Sequence, residues 1–399
     1  AFCLLLCALY LSLWHRTPDR IKIRVGEQER MNLALPASGM LRASGDAAIP
    51  VSLNQPLIFY ANEKNSYEMD VRLFGILPLK QVQVQVIEGS TVIPAGIPIG
   101  IYVKTDGVLV VGTGDFTGYD GGRYSPAQHV LKSGDYILRM NGEDVTGKKM
   151  FMNTLQEIGE NDLILTVRRG ESVFDVKTVP VRDQAGTYKI GIWIRDNAQG
   201  VGTLTYIDDN GGFGALGHGI NDMDTSTLMA LSKGTLYHTD IIGVRKGEAG
   251  RPGELTGLID YADDHILGVI SRNNDKGIFG QCGEKLETAV PFGPVPIALK
   301  QETKVGPAKI LCSLDGEEAK LYDVQITDIT YDREHINREI VLQITDTELI
   351  AETGGIIQGM SGAPILQDGK LVGAVTHVFV QDATKGYGIF IEEMMDGSR

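Results

Sequence analysis

A serine flanked by glycines is the clearest chemical feature of this sequence. Ser361 lies between Gly359 and Gly362, and Pro364 opens the apolar run that follows and predicts a strand. Glycine adopts left-handed backbone conformations without a Cβ clash, so this turn can expose the hydroxyl and direct successive N–H groups toward one point. Such N–H groups stabilise the oxyanion that forms when a serine attacks a carbonyl. Because many surface turns share the pattern, a purely structural turn is the alternative.

A serine nucleophile needs a neighbouring base, which is usually a histidine. The chain has seven histidines. His218 lies between two glycines, in a turn after the strand-like run Gly202–Ile207, and this setting would let its ring reach into a cleft. A loop histidine without a role is the alternative for His218. His377, on the strand predicted after Ser361, is the rival base.

Several segments, in order, resemble the SpoIVB peptidase family, the serine peptidases made during stage IV of sporulation in spore-forming Firmicutes. The matching segments are Gly214–Ile220, Ile344–Thr347, Gly359–Ile365, Gly373–Val380 and Gly386–Ile389. Position by position, this resemblance implies that His218, Asp346 and Ser361 are the catalytic residues. The N–H groups of Gly359 and Ser361 are the expected oxyanion donors. The resemblance also implies that the strand Gly373–Val378 pairs with the substrate backbone.

The roles of these residues follow from their chemistry. Ser361 would attack a peptide carbonyl, His218 would take its proton, and a carboxylate would orient the imidazole. Asp346 lies only fifteen positions before Ser361, whereas chymotrypsin-like enzymes usually take their aspartate from the first barrel. A cap on the turn after the preceding strand is the alternative for Asp346. Asp240 and Asp260 stay open as substitutes.

Composition limits the fold and the partners. The 399 residues give room for two or three domains, and 49 glycines with few long helical patterns indicate short strands joined by tight turns. The formal net charge of −14 argues against a nucleic-acid partner, because phosphate binding needs clustered lysine and arginine. No spacing resembles a metal site, so the sequence predicts neither a metal nor another cofactor.

The N-terminal residues 1–24 predict a truncated signal-anchor or signal peptide, with a buried core helix as the alternative. Residues Ala1–Trp14 are apolar apart from Ser12. As a helix they would span about 21 Å, short of the roughly 30 Å of a bilayer core. The rest of the chain would then be extracytoplasmic. There Cys282 and Cys312 could form a disulfide, or remain buried thiols.

The next two sections are predicted to be rich in strands. Residues 25–90 form a β-rich region in which Leu79–Val86 alternates strictly, with three valines on one face. Residues 91–182 resemble a PDZ domain through Ile97–Val103 and through Leu131–Gly142, the latter carrying Leu-Lys-x-Gly-Asp-x-Ile-Leu-x-x-Asn-Gly. A helix at Lys148–Ile158 and a strand at Leu163–Val167 are predicted to follow. A hairpin with an Asn-Gly turn is the alternative.

A PDZ domain binds a peptide by adding it as a strand to an open sheet edge. The resemblance places this site at Ile99, Gly100 and Ile101, where loop N–H groups would take a terminal carboxylate.

Residues 183–394 are predicted to form a chymotrypsin-like double β-barrel, with the active site at the seam between the barrels. The whole chain is thus expected to be mainly β, with a PDZ domain ahead of a serine peptidase domain. The family resemblance implies a membrane-anchored or secreted endopeptidase of the forespore intermembrane space. It would cleave the extracytoplasmic part of a membrane-bound regulator of an intramembrane protease, release a sigma factor, and cleave itself. An inert PDZ scaffold that binds this regulator is the alternative.

Overall fold

The computed structural model describes residues 2–31, 35–43, 48–290, 292–331 and 335–398. Strands dominate these ranges, as expected for a mainly β chain. The α-helices are α1 Phe2–Arg16, α2 Lys148–Ile158, α3 Glu284–Ala289, α4 Thr347–Thr353 and α5 Ile391–Gly397, and short 3-10 helices occur at Asp263–His265, Lys300–Glu302 and Ile336–Arg338. None of the helices in the described ranges combines the length and the apolar character needed to cross a bilayer.

The N-terminal region is a small β domain. Its strands are β1 Arg20–Arg24, β2 Gln28–Met31, β3 Ala37–Ala43, β4 Ile49–Ser52, β5 Leu57–Tyr60, β6 Ser66–Leu73 and β7 Leu77–Ile87. Five of them form a sheet in the order β1-β7-β6-β3-β4, while β2 pairs with β5. The predicted alternation is confirmed, because Val82, Val84 and Val86 of β7 are all buried. This periodic burial is what makes β7 a half-buried strand.

Buried ion pairs dock this domain onto the rest of the chain. The guanidinium of Arg24 contacts Glu29 at 2.6 Å and Glu302 at 2.7 Å, and it donates to the Ile297 carbonyl at 2.8 Å. Burial alone would raise the pKa of Glu302, but hydrogen bonds from Arg24 and Lys370 lower it to about 2. This contact joins β1 of the N-terminal domain to the 3-10 helix Lys300–Glu302, and removing one partner would leave an uncompensated buried charge.

The middle of the chain supplies the longest sheet. Its strands, with the short hairpins beside them, are β8 Thr91–Pro94, β9 Pro98–Thr113, β10 Phe116–Thr117, β11 Arg123–Tyr124, β12 Tyr136–Met140, β13 Glu143–Asp144, β14 Leu163–Arg169, β15 Ser172–Thr178, β16 Val181–Arg182, β17 Tyr188–Lys189, β18 Ile192–Ile207, β19 Gly212–Ala215, β20 Leu231–Tyr237, β21 Thr239–Arg245, β22 Glu254–Ile259, β23 Ile266–Asn274, β24 Gly277–Cys282 and β25 Val295–Pro296. Six of these pair in the order β9-β20-β23-β24-β19-β18. Since β9 also pairs with β18, the six strands close into a first barrel.

The remaining strands form a second barrel. They are β26 Gly306–Cys312, β27 Lys320–Ile329, β28 Ile340–Ile344, β29 Pro364–Gln367, β30 Lys370–Phe379 and β31 Asp382–Phe390, closed in the order β26-β27-β28-β31-β30-β29. Inward side chains such as Ile310, Leu342 and Val375 are fully buried and fill its interior. Cys312 is a buried free thiol of this core, so no disulfide joins it to Cys282.

A separate core lies between β9 and β18, within residues 106–195, which we call the inserted module. Its sheet order is β15-β14-β12-β9, and α2 packs on it through Phe151 and Leu155. The predicted helix at Lys148–Ile158 has the same bounds as α2, and the predicted strand at Leu163–Val167 lies within β14. The Asn-Gly turn is also present, with positive φ at Asn141 (48°) and Gly142 (89°).

The first barrel and the inserted module share two long strands. Residues 98–105 of β9 pair with β18 and β20 in the barrel, whereas residues 108–113 pair with β12 and with the first residues of β18 in the module. The module is therefore an insertion between two strands of one barrel. This differs from the sequence-based boundaries, which assign 91–182 and 183–394 to separate domains.

The same pairing corrects the predicted peptide-binding loop. Ile99, Gly100 and Ile101 pair with β18 on one side, and Gly100 and Ile101 pair with β20 on the other. Ile99 is fully buried and Ile101 nearly so. A strand with neighbours on both sides has no open edge to which a peptide can be added. The PDZ-like pattern is local in sequence. It does not show that this strand belongs to a barrel, because the neighbouring strands lie far along the chain.

This shared strand predicts that the first barrel fails to fold in a chain covering residues 183–398, which keeps only the second barrel intact. Without β9, both β18 and β20 lose a hydrogen-bonding neighbour and the first barrel opens. Amide hydrogen exchange should find β19, β23 and β24 unprotected in 183–398. In a chain covering 88–398, which keeps both barrels and the inserted module, the same strands should be protected. Protection of these strands in the shorter chain would contradict the insertion.

Candidate active site

A cleft of about 450 Å³ lies between the two barrels. Its walls include Gln199–Val201 of β18, His218–Asn221 after β19, Ile356–Gly359, and Thr376–Val378 of β30, with Ser361 among the lining residues. No aspartate, glutamate, lysine or arginine lines it in the part of the chain that the structure describes. The cleft is thus a mostly apolar site with a few convergent polar groups, as binding sites usually are.

The loop that carries Ser361 has the conformation that its glycines predict. Gly359 and Gly362 have φ values of +100° and +99°, in the left-handed region. A Cβ at position 362 would lie 2.1 Å from the Thr203 carbonyl oxygen, and one at position 359 would lie 2.9 Å from the Leu255 side chain. Only glycine fits at either position.

Two buried threonines of β18, which sequence reasoning missed, hold this loop. Thr203 donates its backbone N–H to the Ser361 carbonyl at 2.9 Å and its hydroxyl to the Gly359 carbonyl at 2.7 Å. The Thr205 hydroxyl donates to the Gly362 carbonyl at 2.8 Å. The signal in the sequence is a pair of alternate threonines in the otherwise apolar run Gly202–Ile207, which share one strand face.

These bonds use the carbonyl groups of Gly359, Ser361 and Gly362, whereas two N–H groups of the same loop stay available. Among the described residues, no hydrogen-bond acceptor is found for the N–H of Gly359 or of Ser361. Both belong to residues that line the cleft. An oxyanion hole requires such unpaired, preorganised donors.

His218 lies on a strained turn that follows β19. Leu216 and Gly217 both have a φ of +70°, which is uncommon for leucine. A Cβ at Gly217 would come within 2.9 Å of the Ile389 and Thr376 side chains, so the turn packs directly on the second barrel. The ring of His218 contacts the Gly219 carbonyl through Nδ1 at 2.9 Å. Burial lowers the pKa of His218, and the contact with Gly219 only partly offsets this.

The rival base, His377, lies beside His218. The ring centroids of the two histidines are 4.9 Å apart. Burial, together with the proximity of His218 and Arg338, lowers the pKa of His377 to about 4, so this ring is neutral at pH 7. Its Nδ1 is buried and has no hydrogen-bond partner in the described structure. The cleft therefore contains two neutral imidazoles beside one serine.

The hydroxyl of Ser361 does not bond either histidine in this conformation. It donates to the Thr376 carbonyl at 2.7 Å. The register between β30 and β31 shifts between Val375 and Val378. Thr376 and His377 therefore have no paired residue in β31. The structure thus brings Ser361, His218 and His377 into one cleft, with the hydroxyl turned toward β30.

Asp346 lies elsewhere, at the N-terminus of α4. Its carboxylate accepts the N–H groups of Glu348 and Leu349, each at 3.0 Å, and of Asp323 at 3.2 Å. Desolvation raises its pKa, but these backbone donors hold the pKa of Asp346 below its usual range. Asp346 therefore acts as a helix cap, the alternative that the sequence left open, because a short side chain after a strand readily bonds the next N–H groups.

The two substitutes do not contact His218 either. Asp240 lies 3.8 Å from His238, and Asp260 lies 3.0 Å from His265. Both aspartates are exposed. Within the described residues, the acceptor for the His218 ring is thus a backbone carbonyl.

A serine on a glycine turn and a histidine on a facing turn line one cleft at the seam of two six-stranded barrels. The family model of the SpoIVB peptidase S55 matches residues 186–395, and the chain belongs to this family. The resemblance drawn from the sequence is thereby confirmed. The matched range begins after β9, although the first barrel needs that strand.

The solved structures to which this chain is similar include a PDZ domain and a protease. The PDZ domain of an SdrC-like protein from Listeria monocytogenes is 23% identical and covers 22% of this chain and 87% of that chain, with a TM-score of 0.19. The Rv3671c protease from M. tuberculosis in its active form is 16% identical and covers 50% of this chain and 73% of that chain, with a TM-score of 0.30. Its inactive form is 14% identical, with coverages of 49% and 82% and a TM-score of 0.28. No curated protein matches the chain significantly.

The capping role of Asp346 predicts how its variants behave. Asp346→Asn should unfold at nearly the wild-type temperature, because asparagine caps helices as well as aspartate, whereas Asp346→Ala should lose about 1 kcal/mol of stability. Both should react with a fluorophosphonate probe within about threefold of the wild-type rate. A loss of about 10⁴-fold in Asp346→Asn, the size seen when a triad aspartate becomes asparagine, would instead make Asp346 catalytic.

Proposed function

We propose that this chain is a serine endopeptidase in which Ser361 is the nucleophile and His218 is the general base. The observation that carries this proposal is the cleft shared by Ser361, His218 and two unpaired backbone N–H groups. A weak nucleophile, a neutral base and preorganised oxyanion donors are the parts that acyl transfer requires. The membership of the chain in a peptidase family supports the same reaction.

The hydrogen bond of the resting hydroxyl suggests how substrate binding starts the reaction. The substrate backbone would pair with the segment Thr376–Val378 of β30, so that a substrate N–H takes the Thr376 carbonyl. This displaces the hydroxyl of Ser361, which then turns toward His218. Catalytic hydrogen bonds often form only in the substrate complex.

The chemistry then follows in two steps. The oxygen of Ser361 attacks the scissile carbonyl while His218 Nε2 takes the hydroxyl proton. The tetrahedral oxyanion accepts hydrogen bonds from the N–H groups of Gly359 and Ser361. His218 returns the proton to the leaving amine, and an acyl-enzyme remains. A water molecule, deprotonated by His218, hydrolyses this ester and regenerates Ser361.

The inserted module has a groove of its own, which we propose as the peptide-binding site of a PDZ-like domain. The groove, of about 300 Å³, lies between Phe151–Leu155 of α2 and the segment Ile190–Ile194. The residues Ile192–Ile194 pair with β9 on one edge, and no strand of the described chain pairs with the other edge. An open edge beside a helix suits a peptide added as a strand, with Trp193, which is 63% exposed, available to contact it.

The biological setting is proposed from the family alone. By analogy with this family, we propose that the substrate is a membrane-bound regulator of an intramembrane protease. The chain would cleave the extracytoplasmic part of this regulator, and a sigma factor would then be released. One copy of the chain would also cleave another. The forespore intermembrane space would be the location. Helix α1 exposes Leu5, Leu6, Leu9 and Leu11, which supports a contact between this segment and a membrane.

An inert scaffold is the second candidate function. It rests on the groove of the inserted module, which could bind a regulator without proteolysis. The two functions differ in one property, the reactivity of Ser361.

Ser361→Ala tests the enzyme proposal. We expect unchanged folding by thermal unfolding, no covalent labelling by a fluorophosphonate, and a loss of proteolysis by roughly 10⁴–10⁶-fold. The wild-type chain should still cleave the Ser361→Ala chain in trans. Ser271→Ala is the matched control, because its hydroxyl also donates to a backbone carbonyl, that of Phe279 at 3.3 Å. A wild-type chain in which the probe leaves Ser361 unmodified would support the scaffold.

A further inference from the structure

A second pocket lies on the outer face of the first barrel, beside the cleft. It encloses about 410 Å³ between side chains of β9, β18 and β20 and the ring of Tyr261, which follows β22. Its walls include Tyr102, Lys104, Gln199, Lys233, Tyr237 and Tyr261, and we call it the Tyr–Lys pocket. The reaction proposed at Ser361 uses none of these tyrosines and lysines.

Three tyrosines form the apolar part of this pocket. The ring of Tyr261 packs edge-to-face on Tyr102, with centroids 5.6 Å apart, and on Tyr237, with centroids 5.2 Å apart. This is the arrangement that aromatic pairs favour. The Tyr261 hydroxyl donates to Oε1 of Gln199 at 2.6 Å, which ties the ring to β18. The three rings therefore form a fixed surface against which the aliphatic part of a side chain can pack.

Two lysines form the charged part of the pocket. Lys104 of β9 and Lys233 of β20 lie directly opposite each other in the sheet, and both are exposed. Like charges at opposite positions destabilise a sheet. Among the described residues neither lysine has an ion-pair partner, although the chain has a formal net charge of −14. An anion between the two ammonium groups would replace their repulsion with two attractions.

The carboxylates on the neighbouring parts of these strands are bonded to other groups. Asp106 of β9 forms an ion pair with Arg168 at 2.9 Å. Asp196 of β18 accepts the N–H of Lys148 at 2.8 Å and Nδ2 of Asn197 at 2.9 Å. Neither aspartate pairs with a lysine of the pocket. The charge of the two lysines is therefore available to a ligand.

The Tyr–Lys pocket borders the cleft. Gln199 lines both of them. It is opposite Tyr102 of β9, which is opposite Thr235 of β20, so the pocket extends from the cleft across the outer face of the sheet. The two lysines lie two residues further along the same strands. By the usual spacings of a sheet they are roughly 10 Å from Gln199, which is about three residues of extended peptide.

The proposed reaction decides which part of a substrate reaches this pocket. The part that becomes the acyl group pairs with β30 of the second barrel. His218, in the first barrel, gives its proton to the leaving amine. The leaving part of the substrate therefore lies along the first barrel, where Gln199–Val201 form the wall of the cleft. Beyond Gln199 it meets the Tyr–Lys pocket.

We propose that the Tyr–Lys pocket binds an aspartate or glutamate of the substrate, a few residues after the scissile bond. The inference rests on the proposed function and adds a specificity site to it. The carboxylate would accept charge-assisted hydrogen bonds from Lys104 and Lys233, while its methylene groups pack on the tyrosine rings. A substrate with an acidic side chain at this position would be cleaved faster than one with the neutral amide.

The first measurement uses a library of synthetic peptides with randomised positions, incubated with the full chain. Mass spectrometry of the products locates each cleaved bond, and the Ser361→Ala chain gives the background. Aspartate and glutamate should be enriched at one or two adjacent positions after the cleaved bond. Two peptides that differ only by glutamate or glutamine there should differ about threefold to tenfold in kcat/KM, the size expected of one or two exposed ion pairs.

The lysines are tested by the ratio of kcat/KM between the glutamate and the glutamine peptide. Lys104→Gln with Lys233→Gln should reduce this ratio to about one, whereas Lys104→Arg with Lys233→Arg should keep it. Lys132→Gln with Lys320→Gln is the matched control, because it removes two charges at exposed positions of the inserted module and the second barrel. This control should keep the ratio, which separates a local contact from the field of the whole protein.

Three results would overturn the inference while leaving the enzyme proposal intact. They are a wild-type chain that cleaves the library without a preference for acidic residues after the bond, a Lys104→Gln, Lys233→Gln chain that keeps the ratio, and a control chain that loses the ratio as well. A wild-type chain that cleaves no peptide beyond the Ser361→Ala background would instead remove the proposed function itself.

Discussion

The proposed active site depends on the docking of the loop that carries Ser361, in the second barrel, onto β18 of the first. Thr203 and Thr205 bond three carbonyls of that loop, those of Gly359, Ser361 and Gly362. Gly362 comes so close to β18 that no side chain fits between them. Each of these buried hydroxyls would leave an unsatisfied carbonyl if removed, at a cost of about 1–3 kcal/mol. The chain continues from β18 through β19 to His218, so β18 positions both the loop of Ser361 and the turn of His218.

The same strand also joins the cleft to the inserted module. Its first residues, Ile192–Ile194, form one wall of the groove beside α2, and Gln199–Val201 form part of the cleft wall. Both halves pair with the single strand β9. A peptide bound in the groove would therefore contact the strand that holds the loop of Ser361. This continuity is a physical connection between the two sites, and coupling between them requires that the strand have two arrangements.

Local signals in the sequence were sufficient for some of these features. The left-handed turns at Gly359 and Gly362, the helix at Lys148–Ile158 and the alternation of β7 each depend on a few consecutive residues. Ile99–Ile101 was misassigned because its neighbours, β18 and β20, lie about a hundred residues or more away in sequence. Asp346 follows the family pattern, but whether a carboxylate caps a helix or orients a ring depends on its spatial neighbours.

The most direct measurement is a crystal structure of the full chain after reaction with a fluorophosphonate. The account predicts a phosphorus–oxygen bond at Ser361, with one phosphoryl oxygen accepting from the N–H groups of Gly359 and Ser361. His218 Nε2 should lie within about 3.2 Å of the Ser361 oxygen, and its Nδ1 should still contact the Gly219 carbonyl. An adduct in which the carboxylate of Asp346 has replaced that carbonyl, or in which His377 holds the Ser361 oxygen, would contradict the account.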